Sequence, residues 1–80
     1  MALTRETLIE HLVEEYDLDE AELAAGALLF STGRLDSFML VELVMYLEDQ
    51  AGVKIRPIDF TLDNLDSVER MLTFLSRKAG

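Results

Sequence analysis

Ser37 is the side chain of this sequence whose type and position best suit a chemical modification. It stands at the start of a predicted helix, directly after Asp36 and four residues after Gly33. The free amides and the dipole of a helix N-terminus favour an anion, so a phosphate ester on this hydroxyl would be stabilised there. The same position suits a helix N-cap, in which the serine oxygen accepts a hydrogen bond from a first-turn amide. The residues alone therefore leave two interpretations of Ser37, a modification site and a structural cap.

Few other residues offer catalytic or metal-binding chemistry. The sequence has no cysteine and one histidine, His11, which excludes disulfides and most zinc arrangements. Helical periodicity places His11 on a polar helix face as a solvated side chain, away from any nucleophile. The acidic segments do not follow the spacing of an EF-hand loop, and no glycine-rich phosphate loop is present. Because 80 residues also make too small a core for a deep substrate cavity, we predict a protein that is not an enzyme and binds no metal.

The first predicted helix lies between Thr4 and Asp17, with Thr4 as its N-cap. Its apolar residues share one arc of a helical wheel and are Leu8, Ile9, Leu12, Val13 and Tyr16. A long loop from Leu18 to Asp36 follows. Loops of this length are uncommon in a compact domain, so we expect this one either to contain a short helical turn near residues 20–25 or to have a function.

The second predicted helix runs from Ser37 to Gln50, ends at Ala51 and Gly52, and has two different faces. Its core face comprises Leu40, Leu43, Val44 and Leu47. The opposite side, called the mixed face below, comprises Phe38, Met39, Val41, Glu42, Met45, Glu48 and Asp49. Exposed Phe and Met residues in a small domain indicate a binding surface. The alternatives are core packing for the apolar residues and a solvated helix face for the acidic ones.

Two further helices complete the predicted bundle. Pro57 suits the first position of a short third helix that continues through Phe60. Asp63 is the predicted cap of a fourth helix, with Asp66 three residues later. The apolar face of this helix comprises Leu65, Val68, Met71, Leu72 and Leu75. The sequence thus predicts an all-α fold, a small four-helix bundle of three main helices and a short third one, with a long loop between the first two helices. We expect a single domain over residues 1–80.

The charge of the chain restricts its partners. The sequence has 16 Asp and Glu residues against 7 Lys and Arg residues, a formal net charge of −9 at pH 7. Nucleic acids and anionic membranes attract basic proteins, so we expect neither of them as a partner of this acidic chain. The expected partner is a protein with a basic surface. No signal peptide and no bilayer-spanning apolar stretch is recognisable, which predicts a cytoplasmic protein. We expect a monomer.

The run from Leu28 to Phe38, followed by Val41-Glu42-Leu43-Val44-Met45 and Leu47-Glu48, resembles the phosphopantetheine attachment region of acyl carrier proteins. The pair Asp36-Ser37 at the head of the second helix is the specific part of this resemblance. The upstream glycine, the acidic helix that follows, the length and the charge all agree with it. The resemblance extends more loosely over the whole chain, because that family is a four-helix bundle with a long first loop and a short third helix.

The resemblance implies a carrier protein. A phosphopantetheinyl transferase would move 4′-phosphopantetheine from coenzyme A onto Ser37, with Asp36 as the supporting carboxylate for the transferase and its metal. The thiol of this arm would carry acyl or aminoacyl groups as thioesters. An acyl- or aminoacyl-loading ligase would supply them, and downstream synthases or transferases would use them. The mixed face would meet basic docking patches on these enzymes, with Phe38 and Met45 as its apolar centre.

The sequence also departs from the pattern of fatty-acid carriers, in which Leu and then an acidic residue usually follow the serine. Here Phe38 and Met39 follow it, and this variant looks more like free-standing carriers of specialised pathways, including aminoacyl or peptidyl carriers, than like fatty-acid carriers. Tyr46, where the family often has a small residue, is expected to narrow any cavity between the helices. The alternative function is an acidic helical adaptor that binds a basic partner through the second helix. In that case Ser37 is only a cap or a phosphorylation site.

Overall fold

Helical segments joined by turns make up residues 3–79, the part of the chain that this computed structural model describes. They are α1 (Arg5–Tyr16), α2 (Glu20–Ala24), α3 (Ser37–Ala51), a 3₁₀ turn (Pro57–Asp59), α4 (Leu62–Leu65) and α5 (Val68–Ala79). Since no strand occurs in residues 3–79, the predicted all-α class is confirmed. The packing of these helices also confirms a small helical bundle. Over the same residues, no helix is long and apolar enough to cross a bilayer.

Helix α1 forms for the local reasons that the sequence indicates. The Oγ1 of Thr4 accepts a hydrogen bond from the amide of Thr7 at 3.1 Å, and the Thr7 hydroxyl accepts one from the Thr4 amide at 2.9 Å. These reciprocal bonds satisfy amides that would otherwise lack a partner at the helix start. Three of the five predicted core residues, Leu8, Ile9 and Leu12, are buried. The other two lie half-buried at the edge of the core.

The long predicted loop contains α2, which confirms the expected helical turn. Asp19 caps this helix, since its Oδ1 accepts a hydrogen bond from the Glu22 amide at 3.0 Å. Three leucines anchor the segment in the core, because Leu23, Leu29 and Leu35 are each at most 2% exposed. The loop is therefore fixed to the core at these three points, while residues 31–34 between the last two are exposed.

The predicted start of the fourth helix is wrong. Asp63 lies inside the separate short helix α4, whose N-cap is Thr61, and α5 begins only at Val68. Asp66 does not serve in a capping box, since it is 1% exposed at the junction of α4 and α5 and binds the long loop instead. The third predicted helix is confirmed as the 3₁₀ turn from Pro57.

The core draws on every α-helix of the bundle. Leu12, Leu23, Leu47, Leu65 and Leu75 each come from a different one and are at most 2% exposed. Burial of large aliphatic side chains is the main favourable contribution to folding in a chain of this size. The start of α3 is held between two such residues, because Leu35 precedes it and Leu43 lies two turns into it.

Candidate functional site

Ser37 is the first residue of α3, and the preceding Asp36 is its N-cap. The Oδ1 of Asp36 accepts a hydrogen bond from the amide of Met39 at 3.0 Å, while its carbonyl accepts one from the amide of Leu40 at 2.9 Å. The interpretation of Ser37 as the cap is therefore wrong. Its side chain is exposed, and within residues 3–79 its hydroxyl has no hydrogen-bond partner. The structure leaves this hydroxyl available at a helix N-terminus.

Two backbone hydrogen bonds stabilise the loop that precedes Ser37. The amide of Leu35 donates to the carbonyl of Leu29 at 3.0 Å, and the amide of Gly33 donates to the carbonyl of Phe30 at 3.2 Å. Gly33 has φ of 80°, a left-handed conformation that favours glycine. Because Leu29 and Leu35 are both buried, this loop fixes the point at which the chain emerges to form α3.

The carboxylate of Asp66 holds the same loop from the opposite side. Its Oδ1 accepts hydrogen bonds from the amides of Leu29, Phe30 and Ser31 at 3.1, 2.6 and 3.0 Å. Its Oδ2 accepts one from the Ser31 hydroxyl at 2.6 Å. Burial raises the pKa of Asp66, but these four hydrogen bonds stabilise the anion and bring the pKa below its ordinary value.

The sequence interpretation missed this function of Asp66. No local signal was available, because helical periodicity places Asp66 with Glu69, Arg70 and Thr73 on the polar side of the predicted fourth helix. A buried carboxylate needs several hydrogen-bond donors, and nothing in its own segment identifies loop amides more than 30 residues earlier as those donors. Only the fold brings them together.

An apolar pocket of about 310 Å³ opens beside Ser37, between the start of α3 and residues 60–65. Its walls comprise Phe30, Leu35, Asp36, Ser37, Leu40, Phe60, Thr61, Leu62 and Leu65. Tyr46 is not among them, and the expectation that its ring narrows a cavity between the helices stays a prediction. A flexible chain attached to the Ser37 oxygen can reach this pocket directly, because the residue itself forms part of the wall.

The mixed face of α3 is largely exposed. The exposed fractions of Phe38, Val41 and Met45 are 85%, 54% and 64%, which excludes core packing for Phe38 and Met45. Glu42 and Asp49 are exposed on the same helix. Since α3 contains no Lys or Arg, its own residues leave this negative charge uncompensated.

The other two residues of the mixed face have partners within the chain. Met39 is half-buried and packs against the core. Glu48 is half-buried as well, and its Oε2 accepts a hydrogen bond from the amide of Ile55 at 2.8 Å. This bond ties the segment after α3 back onto the helix. The structure therefore gives Met39 and Glu48 a packing role that Phe38 and Met45 do not have.

His11 does not lie in solvent as expected, and it lies apart from the groups around Ser37. Its ring stacks on Tyr46 with 3.5 Å between the centroids and 6° between the planes, and it meets Tyr16 edge-on at 6.1 Å. Burial lowers the pKa of His11, although Glu15 and Glu14 act in the opposite direction. The stack on Tyr46 joins α1 to α3, so His11 has a packing role.

Comparison with known proteins identifies a family for most of the chain. The family described as phosphopantetheine attachment site matches residues 6–75, a range that includes α1 to α4 almost entirely and most of α5. A search of the curated proteins gave no match.

Proposed function

The chain belongs to the family of phosphopantetheine attachment domains, and we propose that Ser37 is the residue that bears the cofactor. The chain is a carrier protein, and its domain is a site of covalent 4′-phosphopantetheine attachment. Domains of this family are typically carriers without catalytic activity of their own. We further propose that this chain follows them in leaving the chemistry to its partner enzymes.

The observation that carries the assignment of Ser37 is the division of roles at the start of α3. Asp36 satisfies the first-turn amide of Met39, so the Ser37 hydroxyl is exposed and without a partner among residues 3–79. In the modification, a bond forms between the Ser37 Oγ and the phosphorus that bears the pantetheine arm, and the pyrophosphate bond of coenzyme A breaks. Adenosine 3′,5′-bisphosphate is the leaving group, and the hydroxyl proton is released to a base of the transferase or to water. The phosphodiester left on Ser37 lies at the positive end of the α3 dipole, which favours its negative charge.

The pocket beside Ser37 supports a small apolar cargo. Its volume of about 310 Å³ is at the lower end for ligand pockets, and Leu40, Phe60 and Leu62 give it an apolar wall. A short acyl group or an apolar aminoacyl group on the arm can lie there with its chain out of water. This suits the specialised carrier that Phe38 and Met39 favour, loaded by an acyl- or aminoacyl-activating ligase.

The mixed face supports docking of partner enzymes with basic and apolar patches. Phe38 and Met45 supply exposed apolar area next to Ser37, and Glu42 and Asp49 supply negative charge. Opposite charges accelerate association and make it sensitive to salt without making it tight, which suits a carrier that must leave each enzyme after transfer.

Intact mass tests the attachment site. The native chain, Ser37→Ala and Ser76→Ala are each incubated with coenzyme A, magnesium and a phosphopantetheinyl transferase of broad specificity. Ser76 is an exposed serine of α5 and serves as the matched control. The native chain and Ser76→Ala are expected to gain one phosphopantetheinyl group, and Ser37→Ala none. If the folded native chain gains no phosphopantetheinyl group, the assignment of Ser37 is wrong and the acidic helical adaptor becomes the favoured function.

The same reaction tests the docking face. Phe38 and Ile58 are almost equally exposed, at 85% and 83%, but only Phe38 lies on α3. Phe38→Ala is expected to raise the KM of the transferase by about tenfold, as for a residue at the centre of an interface, whereas Ile58→Ala leaves it within about twofold. Equal effects of the two variants would exclude a docking surface centred on α3.

A further inference from the structure

Asp66 is bound to the loop before α3 more extensively than a stabilising contact requires. Its carboxylate is 1% exposed, and its four hydrogen bonds all come from residues 29–31. The amide of Leu29 is shared between two acceptors, because it also donates to the backbone carbonyl of Asp66 at 2.7 Å. One residue at the junction of α4 and α5 thus fixes three consecutive residues that lie 35 to 37 positions earlier.

This anchoring extends to Ser37 through a short chain of contacts. Leu29, which Asp66 holds through its amide, accepts a hydrogen bond on its carbonyl from the amide of Leu35 at 3.0 Å. Leu35 is 2% exposed, and the next residue, Asp36, caps α3. Ser37 follows at once. Two hydrogen bonds therefore connect the Asp66 carboxylate to the backbone immediately before the modified serine.

A buried carboxylate is a poor choice if stability alone is required. Moving a charge out of water is costly, and an apolar side chain of similar volume is often as stabilising. The carboxylate instead selects one conformation of the loop. Its two oxygens can accept hydrogen bonds from three amides and a hydroxyl only when residues 29–31 adopt one backbone conformation. Without the carboxylate, the amides of Phe30 and Ser31 and the Ser31 hydroxyl lose their acceptor. Leu29 then keeps only its bond to the backbone carbonyl of Asp66, so the segment opposite Leu35 is less constrained.

We propose that Asp66 is a positioning residue for the modification of Ser37: its carboxylate fixes residues 29–31, and through Leu29 and Leu35 it sets where Asp36 and Ser37 meet a partner enzyme. The proposal rests on the proposed function of Ser37. It concerns the geometry of the reaction, since Asp66 is buried and touches neither the cofactor nor the transferase. A displaced nucleophile lowers the rate within the bound complex, so kcat is the quantity that responds.

The test measures kcat and KM of the transferase with the native chain, Asp66→Ala and Asp66→Asn as substrates. Asp66→Ala removes every side-chain acceptor, and kcat is expected to fall by about tenfold to 100-fold. Asp66→Asn keeps one carbonyl oxygen that can accept from the loop amides, and it is expected to restore most of the lost kcat. Weaker neutral hydrogen bonds explain the part that is not restored.

Two control variants separate positioning from charge and from stability. Glu69→Gln also removes one negative charge, but from an exposed side chain of α5 paired with Arg5. Leu12→Ala destabilises the core in α1, away from the loop, by deleting a fully buried side chain. Both are expected to keep kcat within about twofold of the native value at a temperature at which each is folded.

The outcomes distinguish this proposal from the function on which it rests. If the native chain is not modified at all, the assignment of Ser37 fails. If the native chain is modified and Asp66→Ala has the native kcat, or if Leu12→Ala loses as much, the positioning role is wrong. Should Asp66→Ala fail to fold, amide hydrogen exchange is measured in Asp66→Asn and in the native chain. The proposal requires that the amides of residues 29–31 and of Leu35 all exchange faster in Asp66→Asn, and that its kcat is lower. If the Leu35 amide exchanges at the native rate, the proposal is overturned.

Discussion

Two substitutions at Asp36 should separate its structural role from its role in the modification. The Oδ1 of Asp36 accepts a hydrogen bond from the Met39 amide at 3.0 Å, and Asp36→Ala leaves that amide to solvent. Loss of such a cap costs about 1 kcal/mol of unfolding free energy. For a domain of this size, that corresponds to a decrease in Tm of about 4–8 °C. Asp36→Asn keeps an oxygen acceptor, so it loses only the interaction of the charge with the helix dipole, about 0.3–1 kcal/mol before screening by salt.

The assay pairs urea unfolding, followed by circular dichroism, with the rate of phosphopantetheinylation. The expected order of stability is native, then Asp36→Asn, then Asp36→Ala. If the carboxylate also supports the metal of the transferase, Asp36→Asn lowers the modification rate while the chain remains nearly as stable as the native one. Asp19→Ala is the matched control, because Asp19 caps α2 with the same geometry, 3.0 Å to the Glu22 amide, away from Ser37. It is expected to leave the modification rate unchanged.

The reasoning is refuted if Asp36→Ala unfolds at the same urea concentration as the native chain, because the cap would then contribute nothing to the unfolding free energy. It is refuted equally if Asp36→Asn is as unstable as Asp36→Ala, since the charge and not the acceptor would then be the stabilising feature. A modification rate that follows stability in all the variants, Asp19→Ala included, would remove any specific role of the Asp36 carboxylate.

Three further predictions concern the stability of the fold. Gly52→Ala should lower the unfolding free energy in urea by about 1–2 kcal/mol, because Gly52 has φ of 68°, a left-handed conformation that strains other residues. An added Cβ meets no atom within 4 Å, so no new contact offsets this strain. A urea midpoint equal to that of the native chain would contradict the prediction. Tm should rise with added salt, because the net charge of −9 makes the folded chain repel itself, and a Tm independent of salt would be the opposite result. The pKa of Asp66 is lowered on folding, so its contribution to stability is complete above the ordinary value of 3.8 and is lost as pH falls through the folded pKa. Unfolding free energies measured between pH 6 and pH 2 should therefore fall less steeply for Asp66→Asn than for the native chain.

Local patterns in the sequence were enough to predict the fold class and the helix that bears the site. The periodicity of apolar residues locates α1 and α3, and Thr4 and Gly52 mark a start and an end because capping bonds span only three or four residues. The pair Asp36-Ser37 was the specific part of the resemblance to acyl carrier proteins, and the family match over residues 6–75 confirms the family. In each case the determining contacts lie within one or two turns of the residue concerned, so the sequence contains the information directly.

Tertiary structure decided what the local pattern left open or led us to predict wrongly. The stacking of His11 on Tyr46, the bond from the Ile55 amide to Glu48 and the break of the last helix at Asp66 all depend on contacts between separate segments. The pocket beside Ser37 likewise has walls from residues 30 to 65. The sequence by itself determined which serine could be modified and on which helix it lies. Only the packing of the chain determined how that serine is held, because the carboxylate that anchors its loop is buried more than 30 residues away from the amides it binds.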